Sequence, residues 1–488
     1  MDRATLRRRL PVVVLLVVLV GGGPVARPAQ AAPTPAPAAN GVTMRELTFA
    51  NGDVALAGTL HLPPGAGPFP AVVIMHGSGP DSRVPYIPDA QMLADAGIAA
   101  FIFDKRGTGQ SGGDWRRASL DDLMADGLAA VTLVQSQPEI DLAKVGLLGS
   151  SQGAWLAPFM AARDSRVAFF VQVTGSATPL ANQELWGTGN ALKSLGFSDR
   201  AIRTAMKTTH LLYSARGLIR AGILPLGDLW FVTYDPTLDP AAAWANIRVP
   251  ALVLYGAADP TVPSETSLHI VREALAQGGH PDSRVVVFPD LGHALGGPAR
   301  NTDPAYTSLV TGWIKAVMDG AALPAMPYPD TTPPTTSPRW YGLGPDPTPW
   351  YATAALHLPL ILLFLGVFVG AAIISLLPRV RFGGALPRVL LGLTGAANAF
   401  VLVGLVLALN YLLNADAEQS SPEVPLSGAL FPLAWAGVAL VAGLTYAWAT
   451  TRRRGERGLG HVVLAIVTVA GWAFVLFAGY WGLLGGRL

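Results

Sequence analysis

The chain contains no cysteine. That excludes disulfides, a cysteine nucleophile and thiolate metal sites, and it leaves the redox compartment open. Charge is also scarce: 14% of residues are Asp, Glu, Lys or Arg, where a soluble domain holds about one quarter. Part of the chain is therefore expected in lipid. The formal net charge is only +2 and no basic stripe stands out, so nucleic acid is not an expected partner. Asp, Glu, Lys and Arg are missing from four long stretches near the C-terminus, about Ala354–Leu377, Val389–Leu413, Ser427–Ala449 and His461–Leu484, where Asn398 and Asn410 are the notable polar side chains. Each is long enough to cross a bilayer. A soluble helix of that length would carry a polar stripe.

What is present sets the order of the chain. Arg3, Arg7, Arg8 and Arg9 precede an apolar run from Leu10 to Val20, followed by Gly21–Gly23, Pro24 and Ala29-Gln30-Ala31. Basic, short apolar and small-residue segments in that order describe a secretory signal, residues 1–31. The apolar run spans roughly 16 Å as a helix, about half of a bilayer core. A Pro/Ala-rich linker, residues 32–43, is expected next, then a globular domain over 44–320. A proline-rich linker covers 321–352 and a four-helix transmembrane domain covers 353–488.

Within 44–320, short apolar runs at Ala71–Met75, Ile98–Phe103, Val145–Leu148, Ala168–Val173, Ala251–Tyr255 and Val285–Phe288 read as buried strands. Helical patterns alternate with them; one starts at Ser119, with Asp122 completing a capping box. The alternation predicts the α/β class: a mostly parallel sheet with helices on both faces. Residues 181–247 break it and read as a mostly helical insertion, a cap that would shape a substrate pocket.

Loop charges orient the membrane region. The first loop between spans carries Arg379, Arg381 and Arg388, and the third carries Arg452, Arg453, Arg454 and Arg457. The second carries Asp416, Glu418 and Glu423 with no Lys or Arg. Basic loops stay in the cytoplasm, so the second loop, the proline-rich linker and the globular domain are expected outside. Trp340, Tyr341, Trp350 and Tyr351 would mark the outer interface. Gly366 and Gly370 form a G-x-x-x-G pair suited to packing within the bundle or to a homodimer.

The chemistry concentrates in a few segments. Gly149-Ser150-Ser151-Gln152-Gly153 follows a strand and precedes a helix, the setting of a nucleophile elbow, and the spacing selects Ser151. Gly149 and Gly153 keep side chains out of the tight strand–helix contact. A serine hydroxyl needs a base. His293, in Pro289-Asp290-Leu291-Gly292-His293 just after the strand Val285–Phe288, is the candidate, ahead of His210, His269 and His280. The acid is expected after the preceding strand, at Asp259 in Gly256-Ala257-Ala258-Asp259-Pro260, with Asp290 as the rival. An oxyanion needs backbone donors; the amides of Gln152 and of Ser78, in His76-Gly77-Ser78-Gly79-Pro80, are the candidates. His76 is read as shaping that loop. The charges of Asp104-Lys105-Arg106 are read as pairing with one another to hold their own loop.

Together the HGSGP, DKRGTGQS, GSSQG and GAADPTVP segments and the Gly292-His293 pair resemble the α/β-hydrolases over about Met44–Met318. The set is similar to the carboxylesterase and serine-aminopeptidase-like members, related to the prolyl-oligopeptidase and dienelactone-hydrolase branches. Ser150 departs from relatives that carry His there. The resemblance implies acyl transfer to water with no cofactor and no metal. The expected substrate is a small-molecule or lipid-like ester, or alternatively a peptide amide. A transporter with a hydrolase-like ectodomain is the competing class, but the centres of the spans carry no ionisable residue.

Overall fold

The structure is a computed structural model that describes residues 41–221, 223, 234–328, 350–413, 424 and 427–485. The signal segment 1–31 and most of the proline-rich linker, with Trp340 and Tyr341, lie outside the described residues, as do Asp416, Glu418 and Glu423. The chain divides into two compact units, Met1–Gln183 with Arg216–Thr336 and Glu184–Ala215 with Ser337–Leu488.

The first unit is built on an eight-stranded sheet in the order β1-β2-β4-β3-β5-β6-β7-β8. The strands are β1 (Thr43–Asn51), β2 (Val54–Leu62), β3 (Phe69–Met75), β4 (Ala99–Phe103), β5 (Ile140–Ser150), β6 (Phe170–Val173), β7 (Ala251–Gly256) and β8 (Arg284–Phe288). From β4 to β8 neighbouring strands are parallel. The six apolar runs read from the sequence are β3 to β8. β1 and β2 lie outside those runs and form an antiparallel pair whose strands meet from Asn51↔Val54 to Thr43↔Leu62. The outer strand β1 alternates half-buried and exposed residues, so its apolar signal is too thin for a run-based reading.

Successive side chains on a strand point to opposite faces, and both faces of this sheet are covered. Val73, Met75, Phe101, Phe103, Leu147, Val253 and Tyr255 pack on one side. Val72, Ile74, Ala100, Ile102, Leu148, Leu252 and Leu254 pack on the other. Helices supply the cover: α1 (Ile87–Asp95), α2 (Leu120–Gln135) and α3 (Gln152–Arg163), with two later ones over Ser264–Gly278 and Pro304–Asp319. The capping box at α2 is formed, with Ser119 Oγ accepting from Asp122 N and the Asp122 carboxylate accepting from Ser119 N.

The second unit starts inside the segment expected as a cap. α4 (Leu180–Ser194) and α5 (Asp199–Ser214) come from that segment, and after α6 (Ser264–Gly278) and α7 (Pro304–Asp319) of the first unit the chain continues into α8 (Ala354–Ser375), α9 (Ala385–Leu413), α10 (Ser427–Arg453) and α11 (Leu459–Tyr480). The last four are long and apolar enough to cross a membrane. The apolar face of α4–α5 is buried against them: Leu185, Leu192, Phe197, Ile202 and Met206 cluster with Ala408 and Leu412 of α9 and Leu430 and Phe431 of α10. Lys207 Nζ donates to the Tyr480 carbonyl at 2.6 Å, and Ser214 Oγ accepts from Ala354 N at 2.6 Å. The α4–α5 pair therefore meets the start of α8, the end of α9, the start of α10 and the end of α11, which is one end of the bundle.

Helices of the bundle approach closely where small residues allow it. A Cβ on Gly395 of α9 would fall 2.5 Å from the Phe368 carbonyl oxygen of α8. Gly366 and Gly370 behave otherwise: a Cβ on either meets nothing within 4 Å among the described residues. The G-x-x-x-G pair therefore does not pack within the bundle, because the contact to α9 is made from a different face of α8.

Candidate active site

Ser151 follows β5 and caps the N-terminus of α3 with φ 52° and ψ −112°. A residue with a side chain is strained there, and the surroundings leave it no alternative. A Cβ on Gly149 would lie 2.4 Å from the Gly153 carbonyl carbon, and one on Gly153 2.5 Å from the Met75 carbonyl oxygen. Strand, turn and helix touch backbone to backbone, and the Ser151 side chain is levered out at the C-terminal edge of the sheet. Its neighbour Ser150 is buried.

The edge collects the other candidates. His293 follows β8, and its Nε2 lies 3.0 Å from Ser151 Oγ. Its Nδ1 lies 3.0 Å from Oδ2 of Asp259, in the loop after β7. A carboxylate only accepts, so Nδ1 carries the proton and Nε2 of the neutral ring is left to accept from the serine hydroxyl. Asp259 is held by two further bonds, its Oδ1 accepting from Thr261 N at 2.7 Å and from Val262 N at 3.0 Å. The Asp259 side chain is shielded from water. Among the described residues the ion pair of His293 is with Asp259 and none joins it to the rival Asp290. His269 is an exposed residue of α6 whose ring faces Glu273, and His280 pairs with Asp282. His210 belongs to α5, in the second unit.

The loop after β3 abuts the nucleophile: a Cβ on Gly77 would stand 3.8 Å from Ser151 Cβ. Gly77 N is already engaged, donating to Tyr86 Oη at 2.6 Å, and Tyr86 in turn donates to Asp81 Oδ2 at 2.8 Å. The amides of Ser78 and Gln152 have no hydrogen-bond partner among the described residues. Gln152 N also sits at the first turn of α3, where the helix leaves its N–H groups unpaired. His76 is buried in this loop and its Nε2 donates to the Phe103 carbonyl; burial, helped by the charge of Lys105, pushes its pKa down to about 3. It is a neutral structural group at working pH.

The loop after β4 departs from its expected self-pairing. Asp104 accepts from the backbone of Arg83 and Gln110 at 2.9 Å each. Arg106 grips Asp126 of α2 through Nε at 2.7 Å and Nη2 at 2.6 Å. Lys105 turns away from both and reaches the loop after β3. The three residues are spread among different elements because each is buried and finds the nearest partner of opposite polarity there. Thr174 was not singled out in the sequence. It follows β6 with φ 51°, and its Oγ1 accepts from Ala294 N at 3.1 Å, bracing the residue after His293. A threonine in that strained conformation leaves no mark in the sequence. Among the described residues no cluster of three or more His, Asp or Glu side chains is placed to hold a metal ion.

Residues 66–297 match the family model described as serine aminopeptidase, S33. The sheet order and the strand–turn–helix setting of Ser151 agree with that match. The first unit has the α/β-hydrolase fold. Over 264 residues the chain is 28% identical to Esterase EstD of Thermotoga maritima, covering 51% of this chain and 61% of that protein. It is 26% identical over 265 residues to acyl-coenzyme A thioesterase 6 of Mus musculus, covering 54% of this chain and 57% of that one. The hydrolase match thus spans about three fifths of the length of these curated relatives. Among solved structures, an esterase of Pyrococcus furiosus aligns with a TM-score of 0.45 and 18% identity, over 61% of this chain and 99% of that one.

Proposed function

We propose that the protein is a membrane-anchored serine hydrolase that cleaves carboxylic esters through an acyl-enzyme intermediate. The observation that carries the reading is His293, within 3.0 Å of both Ser151 Oγ and Asp259 Oδ2. In this mechanism His293 takes the proton of Ser151 as Oγ attacks the ester carbonyl, and Asp259 stabilises the imidazolium. The Ser78 and Gln152 amides receive the oxyanion. The alcohol leaves with the proton from His293, and a water activated by the same ring releases the acid. Esters are favoured over peptide amides because an esterase and a thioesterase stand among the relatives.

The site of action is part of the same proposal. The arginine-rich first and third loops, the signal-like N-terminus and the acidic second loop all argue for the hydrolase domain on the extracytoplasmic side. A fluorophosphonate should label Ser151 in intact cells, and a reporter active only outside should work when fused after Met318 and fail at Gly455. Labelling at any other residue overturns the chemistry. Activity of the Gly455 fusion overturns the orientation.

A further inference from the structure

Lys105 Nζ is buried beneath the loop after β3. It donates to the Gly77 carbonyl at 2.5 Å, to the Gly79 carbonyl at 2.9 Å and to Gln152 Oε1 at 3.3 Å. An ammonium has three donors and no acceptor, so all three are used. The contact that matters is the first. The Gly77 carbonyl and the Ser78 N–H belong to one planar trans peptide and point in opposite directions. A cation that draws the carbonyl one way turns the Ser78 N–H the opposite way, and Gly77 itself stands beside Ser151. Gly77 N is spent on Tyr86, so this loop has the Ser78 amide left to offer.

We propose that Lys105 is a positioning residue for ester hydrolysis: it holds the 77–78 peptide so that Ser78 N–H faces the developing oxyanion, and it ties that loop to Gln152, which bears the second donor. The inference rests on the reading of Ser151 as the nucleophile. Charge strengthens the hold, because hydrogen bonds from an ionised donor are roughly twice as strong as neutral ones. Burial pushes the Lys105 pKa down to about 8, with Asp81 opposing. The titratable and charged groups around it are Asp81 and His76 on the loop after β3 and Asp126 on α2, which lines the same small cavity. Asp126 is engaged by Arg106 and Asn51, and Asp81 by Tyr86. Lys105 therefore keeps its proton at neutral pH and releases it as the pH passes about 8.

The test uses the full-length chain with p-nitrophenyl butyrate, a fluorophosphonate and a trifluoromethyl ketone that forms an oxyanion on the nucleophile. Lys105→Met should lower kcat about 100-fold or more, as loss of an oxyanion donor does. KM should move by less than about threefold, since the interaction belongs to the transition state. Affinity for the trifluoromethyl ketone should fall in step with kcat/KM. A folded Lys105→Met protein with kcat within about twofold of wild type, or with its loss confined to KM, overturns the inference. If Lys105→Met fails to fold, Lys105→Arg decides: wild-type kcat should decline above about pH 8 while the arginine variant, which stays charged, holds its rate. The same alkaline decline in both would overturn it. A wild-type protein that is not labelled at Ser151 overturns the function reading itself, and this inference with it.

Discussion

Leu142 of the sheet-bearing unit and Leu363 of the helical unit are almost equally exposed, at 66% and 58%. The resemblance ends there. In the first unit the interior takes in charge: Arg106 with Asp126, and Arg83 with Asp104, have side chains under one tenth exposed and joined within 3.3 Å. In the second unit the outward faces of α8 and α11 carry Leu362, Ile373, Ile466 and Leu476, each more than half exposed. On the proposed membrane anchoring these faces meet lipid. One chain then follows two solvents, and the same side chain at the same exposure has opposite consequences in each.

The comparison can be broken at four points. The largest effect is expected at the sheet edge. Ser151→Ala should cut ester turnover by about three orders of magnitude or more. Ser150→Ala, one residue away and buried, should change it little. Equal losses in steady-state assays would mean that the elbow presents the wrong serine. The next effect is structural. Arg106→Ala strands the Asp126 carboxylate inside the first unit and should cost about 3–5 kcal/mol, read from denaturant-dependent hydrogen exchange of α2 and β4 amides. A cost below 1 kcal/mol would mean that Asp126 finds water instead. The helical unit gives a smaller figure. Leu363→Arg sits in the middle of α8, and a charge there should raise the cost of insertion by about 2.5–3.5 kcal/mol, measured as the inserted fraction in a glycosylation-mapping assay. Full insertion would argue that this face of α8 is not against lipid. The smallest effect is the counterpart, Leu142→Arg, which should shift hydrolase stability by no more than about 0.5 kcal/mol. A large destabilisation would reveal a partner surface over β5.

Much of this could be read without coordinates because the signals are local. The elbow is legible in five residues, since its glycines are demanded by backbone contacts that the strand–turn–helix setting itself creates. β3 to β8 are legible because strands buried on both faces are unbroken apolar runs. The α2 cap is legible because its two bonds join residues three apart. β1 escaped because it is half covered, and its partner β2 escaped with it. Lys105 escaped for a different reason: nothing in Asp104-Lys105-Arg106 tells which of three adjacent charges turns toward Gly77, which toward α2 and which back onto its own loop. Thr174 carries no signal at all.

Sequence alone determined the class of the first unit, the four membrane-length helices and the short set of polar residues able to do chemistry, because burial period, helix length and turn residues are properties of neighbouring positions. Tertiary structure decided the rest. It brought Ser151, His293 and Asp259 within hydrogen-bonding reach across more than a hundred residues of chain. It joined Glu184–Ala215 to the C-terminal helices, and it turned Gly366 and Gly370 away from the bundle. These outcomes depend on which distant surfaces can bury one another and which buried polar groups find partners, and both are settled only when the whole chain has packed.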